Sequence, residues 1–145
     1  MPPIPLTAEQ IIDLLDLTPH PEGGFYRQTW VDSAAIGMRP TGTCIYFMLK
    51  RGQTSHWHRV DAKEIWHHYA GASLTLSLSE TLQGPRSDHT LGPDLINGAR
   101  PQIIVPKDHW QAAETLGDWT LVGCTVCPAF HFDGFRLAEP GITIP

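Results

Sequence analysis

Positive charge is scarce in this chain, and no stretch of it is basic. The 145 residues contain ten Lys and Arg against fifteen Asp and Glu, which gives a net charge of −5. Proteins that bind nucleic acid usually display a cluster of basic residues. Because the few cations here are scattered along the sequence, we expect no nucleic-acid partner.

Long apolar runs and a disulfide framework are also missing. A membrane helix needs roughly 20 consecutive apolar residues, and no segment approaches that length. The opening Met-Pro-Pro-Ile-Pro has neither the basic start nor the apolar core of a secretory signal. Cys44, Cys124 and Cys127 are an odd number of thiols, which agrees with a reducing compartment. We therefore expect a soluble, cytoplasmic protein with no membrane partner.

Charged side chains are few, whereas glycine and proline are plentiful. Charged residues make up 17% of the chain, and glycine and proline contribute 13 residues each. Typical domains carry about 25% charged residues, so this composition disfavours both a disordered chain and a bundle of charged helices. The length fits a single domain over residues 1–145. Many short elements separated by turns are expected.

One helix is predicted near the start, over about residues 7–17. Thr7 and Gln10 have the spacing of a capping box, in which each side chain satisfies a backbone donor of the other. Two prolines that follow position 18 should end the helix. The apolar residues of the segment fall on one helical face: Ile11, Leu14 and Leu15.

Beyond residue 24 the pattern becomes that of β-strands. Residues 73–79 are the clearest case, because leucine alternates with serine and threonine. Loops are predicted at residues 84–88 and 92–94, which are rich in glycine, proline and aspartate. Aromatic and β-branched residues predict further strands at 25–31, 43–49, 54–60, 102–105, 110–113, 119–126 and 129–137. About eight short strands after one helix predict an antiparallel sandwich or barrel.

Histidine is unusually frequent, with eight residues. In a strand, His56 and His58 would point to the same side, and Glu64 could arrive from the next strand. Two imidazoles and a carboxylate could hold a divalent transition metal. The histidines at positions 20 and 89 are assigned to a turn and to a loop.

This segment resembles the first cupin motif, carried by Gly52, His56-x-His58, Glu64 and Gly71. The second cupin motif ends in a histidine that completes a metal site, and its counterpart here is Pro106-Lys-Asp-His-Trp-Gln111. Gln111 therefore stands where the last ligand is expected. Because glutamine is a weak neutral ligand, we favour a pocket without a cofactor and keep the metal as the alternative.

Motifs spread over about residues 7–138 resemble the cupin-five family, which has long been described as a domain of unknown function. The resemblance implies a mainly β fold, a cupin-type jelly-roll antiparallel β-barrel over about residues 24–138 with a short N-terminal helix. It also implies a fold similar to the sugar-nucleotide 3,5-epimerases and a homodimer. The matching residues include His20-Pro-Glu-Gly-Gly24, Ile45-Tyr-Phe47, Ser55-x-Trp-His58-Arg59, Glu64-Ile-Trp66, Val105-Pro106, Trp110-Gln-Ala112 and Leu121-Val-Gly-Cys124.

A pocket inside this barrel is expected to hold a small ligand. Glu22, beside two glycines, lies either at the pocket rim or the dimer seam, or in a turn where it caps a backbone amide. Arg59 either binds an anionic group of the ligand or makes a surface salt bridge. The expected pocket residues are Tyr46, Met48, His58, Glu64, Trp66, Gln111 and Phe130, with His56 and His68 as candidates.

Three functions remain open at this stage. The first is acid–base catalysis on a small carbohydrate- or nucleotide-like molecule, with His58 as base, Glu64 orienting it and Tyr46 as acid. The second is a metal enzyme that uses His56, His58, Glu64 and Gln111 as ligands. The third is binding of a small metabolite without catalysis.

Two further pairs of closely spaced residues give weaker evidence of a function. Cys124 and Cys127 are three apart, so in a strand they face opposite sides and do not form a redox pair. His131 and Asp133 are two apart and could either form an acid–base pair at the pocket mouth or be solvated.

Overall fold

The computed structural model describes residues 5–145, so most of the Met-Pro-Pro-Ile-Pro start lies outside the described residues. The described residues form one helix, α1 (Ala8–Leu15), eleven strands and two short 3₁₀ turns. The strands are β1 (Thr18–Pro19), β2 (Phe25–Val31), β3 (Thr43–Lys50), β4 (Thr54–Val60), β5 (Lys63–Gly71), β6 (Leu74–Ser79), β7 (Ser87–Leu91), β8 (Gln102–Val105), β9 (Trp110–Thr115), β10 (Trp119–Cys127) and β11 (Phe135–Leu137).

The strands form two antiparallel sheets. One has the order β1-β2-β3-β10-β5-β8, and the other has the order β11-β4-β9-β6-β7. The mainly β prediction is confirmed, although "barrel" is a loose description because the described strands form two separate sheets rather than one closed ladder. The core lies between them and includes Phe47, Leu49, Trp66, Leu74, Leu76, Leu78 and Val122.

Helix α1 begins as the sequence predicts and ends earlier. The Thr7 hydroxyl accepts from the Gln10 N–H at 3.2 Å, and Gln10 Oε1 accepts from the Thr7 N–H at 2.8 Å. The helix stops at Leu15 because Asp16 adopts a left-handed conformation with φ 57°. The capping box is therefore confirmed, and the predicted end at residue 17 is wrong.

The helix packs on the outer face of the six-stranded sheet. Ile11 is buried there in a cluster with Leu17 and Met48. Leu14 is 69% exposed, although it was predicted to share the buried face. The apolar stripe of α1 is thus narrower than its sequence indicates.

Two predictions at the level of single elements fail. Residues 129–137 were predicted as one strand, but only Phe135–Leu137 pairs with β4, and Phe132–Gly134 forms a 3₁₀ turn. Residues 84–88 were predicted as a loop, yet Ser87–Leu91 pairs with β6 and places His89 in a strand. β7 is a polar edge strand, so tertiary pairing rather than intrinsic propensity makes it extended.

No helix in the part of the chain that the structure describes is long and apolar enough to cross a lipid bilayer. The three cysteines are free thiols.

Candidate functional site

A cavity of about 210 Å³ opens between the two sheets; its polar lining residues are here called the polar side and its apolar lining residues the apolar side, although members of the two groups touch one another. The polar side consists of His20, Glu22, Gln28, Thr43, His58, Glu64 and Cys124. The apolar side consists of Tyr26, Ile45, Val60, Val126, Phe130, Phe132 and Phe135. Apolar walls with a few convergent polar groups are typical of sites for small organic molecules.

A buried histidine–carboxylate pair dominates the polar side. Nε2 of His58 lies 2.7 Å from Oε2 of Glu22, and the two side chains are only 3% and 6% exposed. Nδ1 of His58 donates to the His56 carbonyl oxygen at 2.7 Å. Because a carbonyl and a carboxylate both accept, the arrangement fits an imidazolium that carries protons on both ring nitrogens.

The electrostatics of the pair agree with this assignment. Burial is the largest influence on His58 and lowers its pKa, but the charge and hydrogen bond of Glu22, together with the Glu64 charge and the His56 carbonyl, outweigh burial and raise the pKa above its usual value. Burial is likewise the largest influence on Glu22 and tends to raise its pKa, but the charge and hydrogen bond of His58, with smaller help from His20 and Ser55, lower the pKa overall. Each member therefore holds the other in its charged form.

The contact joins two opposite charges at hydrogen-bond distance, although its angles are not those of an aligned hydrogen bond. The Ser55 hydroxyl lies close enough to Glu22 to help lower the pKa of its carboxyl group. Oε2 of Glu22 is therefore satisfied by the His58 charge.

The turn that carries Glu22 is docked against β4. The backbone N–H of His56 donates to the Glu22 carbonyl oxygen at 2.8 Å, and the His20 N–H donates to the Gly24 carbonyl oxygen at 2.9 Å. Gly23 has φ 107°, and a Cβ there would overlap the Thr54 carbonyl oxygen. Only glycine fits at this position, which explains how the Pro-Glu-Gly-Gly segment delivers Glu22 into the cavity.

Glu64 is the second buried carboxyl group of the cavity. Gln111 Nε2 donates to Glu64 Oε1 at 2.9 Å, and the Gln111 carbonyl accepts from the Trp66 indole N–H at 2.8 Å. Burial raises the pKa of Glu64 from 4.5 to about 7, against the opposing charge of His58. A carboxyl group with this pKa exchanges protons readily near neutral pH.

His20 completes the polar side as a neutral imidazole. Burial lowers its pKa, and the Glu22 charge opposes this only in part. Its Nδ1 accepts from the Glu22 backbone N–H at 3.1 Å. The ring packs edge-on against Tyr26 with centroids 4.5 Å apart.

Three phenylalanines form a corner of the apolar side. The ring centroids are 5.0 Å apart for Phe130 and Phe132, 5.7 Å for Phe130 and Phe135, and 6.0 Å for Phe132 and Phe135. The interplanar angles of these pairs are 85°, 62° and 77°. Phe135 also lies 5.5 Å from the His58 ring, so the aromatic corner adjoins the charge pair.

The segment that carries Phe130 and Phe132 is tied down by a polar network. Arg39 makes two hydrogen bonds to Asp61, at 2.7 and 3.2 Å, and its Nε donates to the Ala129 carbonyl oxygen. Nε2 of His131 lies 3.3 Å from Oδ2 of Asp61. His131 thus pairs with Asp61, a partner that neither of the two alternatives for His131 and Asp133 included.

Some predicted pocket residues lie elsewhere. Tyr46 and Met48 belong to the face of β3 that packs beneath α1, whereas Thr43 and Ile45 of the same strand line the cavity. The sequence prediction therefore turned the wrong face of β3 toward the cavity, since a shift of one residue exchanges the two faces of a strand.

Some of the other predicted ligand-binding residues line the cavity, and others lie outside its wall. Glu22 and Phe130 line the cavity. Trp66 and Gln111 are buried and form the support of Glu64 rather than the cavity wall. Nε2 of His68 lies within 3.2 Å of the carbonyl oxygens of Gly71 and Ala72, near the end of β5. The Arg59 guanidinium lies over the Trp110 ring, 5.2 Å from its centroid, outside the cavity.

The four predicted metal ligands do not form one site, although His58, Glu64 and Gln111 lie close together. The pairing of β4 with β9 is irregular between Ser55 and His58, and Nε2 of His56 lies 3.0 Å from the Glu139 carbonyl oxygen instead of facing the cavity. Both polar atoms of the Gln111 side chain are already hydrogen-bonded. Among residues 5–145, no three His, Cys, Asp or Glu side chains are grouped to hold a metal ion. The residues present therefore do not fit the metal site that the cupin motif implies.

Most of the residues that line the cavity were not predicted, and three cases show why. His20 was assigned to a turn, although it belongs to the same glycine motif as Glu22. Cys124 was considered only as a redox partner of Cys127; it lines the cavity, and burial raises the pKa of its thiol well above the usual value. Phe132 and Phe135 lie in a segment predicted to be one regular strand, whose alternation gave no sign that both would reach the cavity.

The family profile described as "Cupin superfamily (DUF985)" matches residues 9–138. The chain belongs to this cupin family. The predicted cupin fold is thereby confirmed.

Solved structures agree with this assignment. A Shewanella oneidensis protein is similar to this cupin, with 40% identity and a TM-score of 0.86, covering 92% of this chain and 85% of its own. A hypothetical protein from Leishmania major is 26% identical with a TM-score of 0.85, covering 94% of this chain and 90% of its own. No curated protein matches the sequence.

A more distant similarity concerns the fold alone. A variant of Bacillus subtilis oxalate decarboxylase is 11% identical, with a TM-score of 0.62, and the match covers 83% of this chain and 29% of that protein. At this identity the match supports a common architecture and no common reaction.

Proposed function

We propose that this cupin binds a small organic molecule in the cavity and catalyses proton transfer on it, as an isomerase or epimerase does. The observation that carries the proposal is the buried contact between His58 and Glu22 on the cavity wall, with Glu64 beside it. Titratable groups whose surroundings push their pKa values apart are typical of acid–base sites.

His58 is the proton donor of the resting site. Its Nδ1 proton is engaged by the His56 carbonyl, and its Nε2 proton faces Glu22 Oε2 at 2.7 Å, so a ligand takes the Nε2 proton by displacing the Glu22 contact. Glu22 is the positioning residue that keeps the imidazole charged. In the reverse direction the neutral His58 accepts the proton, which is the base role that the sequence suggested.

Glu64 is the partner group for the second proton. With a pKa of about 7, a large fraction of this carboxyl group is ionised near neutral pH. The Glu64 carboxylate takes a proton from the ligand, and His58 Nε2 gives one to it. The ligand leaves as an isomer with an unchanged number of protons. Proton exchange with solvent then restores the imidazolium and the carboxylate.

The composition of the cavity narrows the ligand. Among the described residues that line it, none is a lysine or arginine. A nucleotide or a sugar phosphate brings negative charge that would need such a partner. We therefore favour a small ligand without phosphate.

Two further predictions are unchanged. The homodimer rests on the family resemblance, and the cytoplasmic location rests on the composition.

Deuterium incorporation tests the proposal. The protein is dialysed in D₂O against mixtures of small metabolites, and the retained compounds are analysed by mass spectrometry. We expect the wild-type protein to introduce deuterium into a bound compound. The His58→Asn variant should lose this exchange by at least about 100-fold, the usual weight of one acid–base group.

An exposed histidine provides the control. His89→Asn in β7 should exchange at the wild-type rate, because His89 lies outside the cavity. Equal exchange in wild type and His58→Asn would contradict the role of His58. A compound that is bound and never exchanged would instead identify a binding protein without catalysis.

A further inference from the structure

We infer that the cavity selects a small organic ammonium ion with an apolar body. This inference rests on the proposed function, since it names the class of ligand that the same cavity takes. It is carried by the two buried carboxyl groups, the aromatic corner and the lining without lysine or arginine.

The charges of the cavity favour a cation over an anion. The imidazolium of His58 is already balanced by Glu22 at 2.7 Å. An anionic ligand would therefore meet a second carboxyl group, Glu64, without a free positive partner. A buried charge without a partner is costly, whereas a cation would find Glu64 within the same cavity.

Glu64 points to a ligand that donates hydrogen bonds. Oε2 of Glu22 is occupied by His58 at 2.7 Å, so Glu64 is the carboxyl group of the cavity whose charge is not already paired. It has Gln111 and Cys124 as hydrogen-bond neighbours, and each carboxylate oxygen can accept more than one hydrogen bond. An ammonium group presents N–H donors to carboxylate oxygens, and such charge-assisted hydrogen bonds are stronger than neutral ones.

The apolar side suits the remainder of the same ligand. Phe130, Phe132 and Phe135 meet at steep angles with centroids 5.0 to 6.0 Å apart. Aromatic rings attract cations through their faces and pack against apolar groups, and clusters of them recognise ammonium ligands. Phe135 adjoins His58, which places this corner next to the carboxyl groups.

Ammonium binding should also release protons. A cation beside Glu64 favours the carboxylate over the neutral carboxyl group. Below pH 7 most of the Glu64 side chains are protonated, so binding must expel a fraction of a proton per site. A neutral ligand of the same shape would not do so.

Three probes of nearly equal shape differ in charge: benzylamine is a cation, benzyl alcohol is neutral and benzoate is an anion. Their affinities for the full chain are measured by calorimetry at about pH 6, in two buffers of different ionisation enthalpy. We expect benzylamine to bind at least about 10-fold more tightly than benzoate. We also expect proton release with benzylamine alone.

Two variants test whether the preference for benzylamine over benzoate arises in the cavity. Glu64→Gln keeps a hydrogen-bond acceptor for Gln111 and should reduce the benzylamine preference by about 10-fold and abolish proton release. Glu80→Gln, at a side chain that is 83% exposed, should leave both unchanged. Thermal unfolding of each variant verifies that it is folded.

Each outcome decides the inference. Tighter binding of benzoate or benzyl alcohol would overturn the ammonium assignment while leaving a small-molecule site. Absence of benzylamine binding, or a preference that survives in Glu64→Gln, would also overturn it. The proposed proton transfer is judged separately by deuterium incorporation, which uses none of these probes.

Discussion

The His58 imidazole lies with Nε2 2.7 Å from Glu22 Oε2, deep between two sheets where both side chains are almost fully shielded from water. The two residues come from different parts of the fold, β4 and the turn before β2. Removing one partner of a buried ion pair commonly costs roughly 3–5 kcal/mol. His58 can relieve part of this cost by losing its proton.

The first prediction concerns the turn that holds Glu22. Gly23→Ala should destabilise the protein by more than about 2 kcal/mol, because the left-handed backbone alone costs roughly 1–2 kcal/mol and the methyl group overlaps the Thr54 carbonyl. Gly37→Ala is the matched control, since Gly37 has φ 80° with nothing within 4 Å of the added Cβ. Urea unfolding measures both, and equal losses would contradict a steric role for Gly23.

The second prediction concerns stability against pH through Glu64. Its folded pKa of about 7 exceeds the usual 4.5, so the folded state holds the proton more firmly. This contribution to stability is complete below pH 4.5 and is lost as the pH rises through 7. By linkage the loss amounts to about 3 kcal/mol.

Glu64→Gln removes this titration. Its free energy of unfolding, measured by urea unfolding from acid to neutral pH, should lack the decline that the wild type shows. Glu80→Gln should keep the decline, because that side chain is exposed. A wild type without any fall in stability between pH 4.5 and 7 would show that Glu64 is ionised normally.

The third prediction concerns the aromatic segment over the cavity. Asp61 binds Arg39 and His131, and its backbone N–H donates to the Gly134 carbonyl oxygen. Asp61→Asn should weaken the first two contacts and raise amide hydrogen exchange in residues 129–135 by about 10-fold, because local opening becomes easier. Mass spectrometry of peptic fragments measures this.

A surface pair provides the comparison. Asp118 binds Arg51 at 3.0 Å with both side chains largely exposed. Asp118→Asn should leave exchange in residues 129–135 unchanged, since exposed ion pairs contribute little. Similar exchange in wild type and Asp61→Asn would mean that the network does not hold the segment.

The fold was largely predictable because its signals are local. Alternating leucines placed Leu74, Leu76 and Leu78 in the core, and capping chemistry located the start of α1. β7 could not be predicted in this way, because a polar edge strand is extended only through its partner β6.

The site was predicted less well because it depends on register and on contacts between distant segments. The motif residues of β3 were placed on the wrong face, although the alternation itself was present. The irregular pairing of β4 with β9 separates His56 from His58, and no sequence pattern predicts this irregularity. Glu22 was a candidate because of its glycine motif. The sequence suggested Glu64 as the partner of His58, and the actual partner, Glu22, could not be predicted because it reaches His58 only through the turn that docks against β4.

The charge pair of His58 and Glu22 is the centre of the proposed site. The titration of the His58 ring, followed by NMR in wild type, Glu22→Gln and the control Glu80→Gln, measures it directly. We predict a His58 pKa above 6.5 in wild type and Glu80→Gln, and a lower pKa in Glu22→Gln, where only Glu64 and the His56 carbonyl still oppose burial. A wild-type pKa at or below 6.5 that Glu22→Gln leaves unchanged would contradict the account.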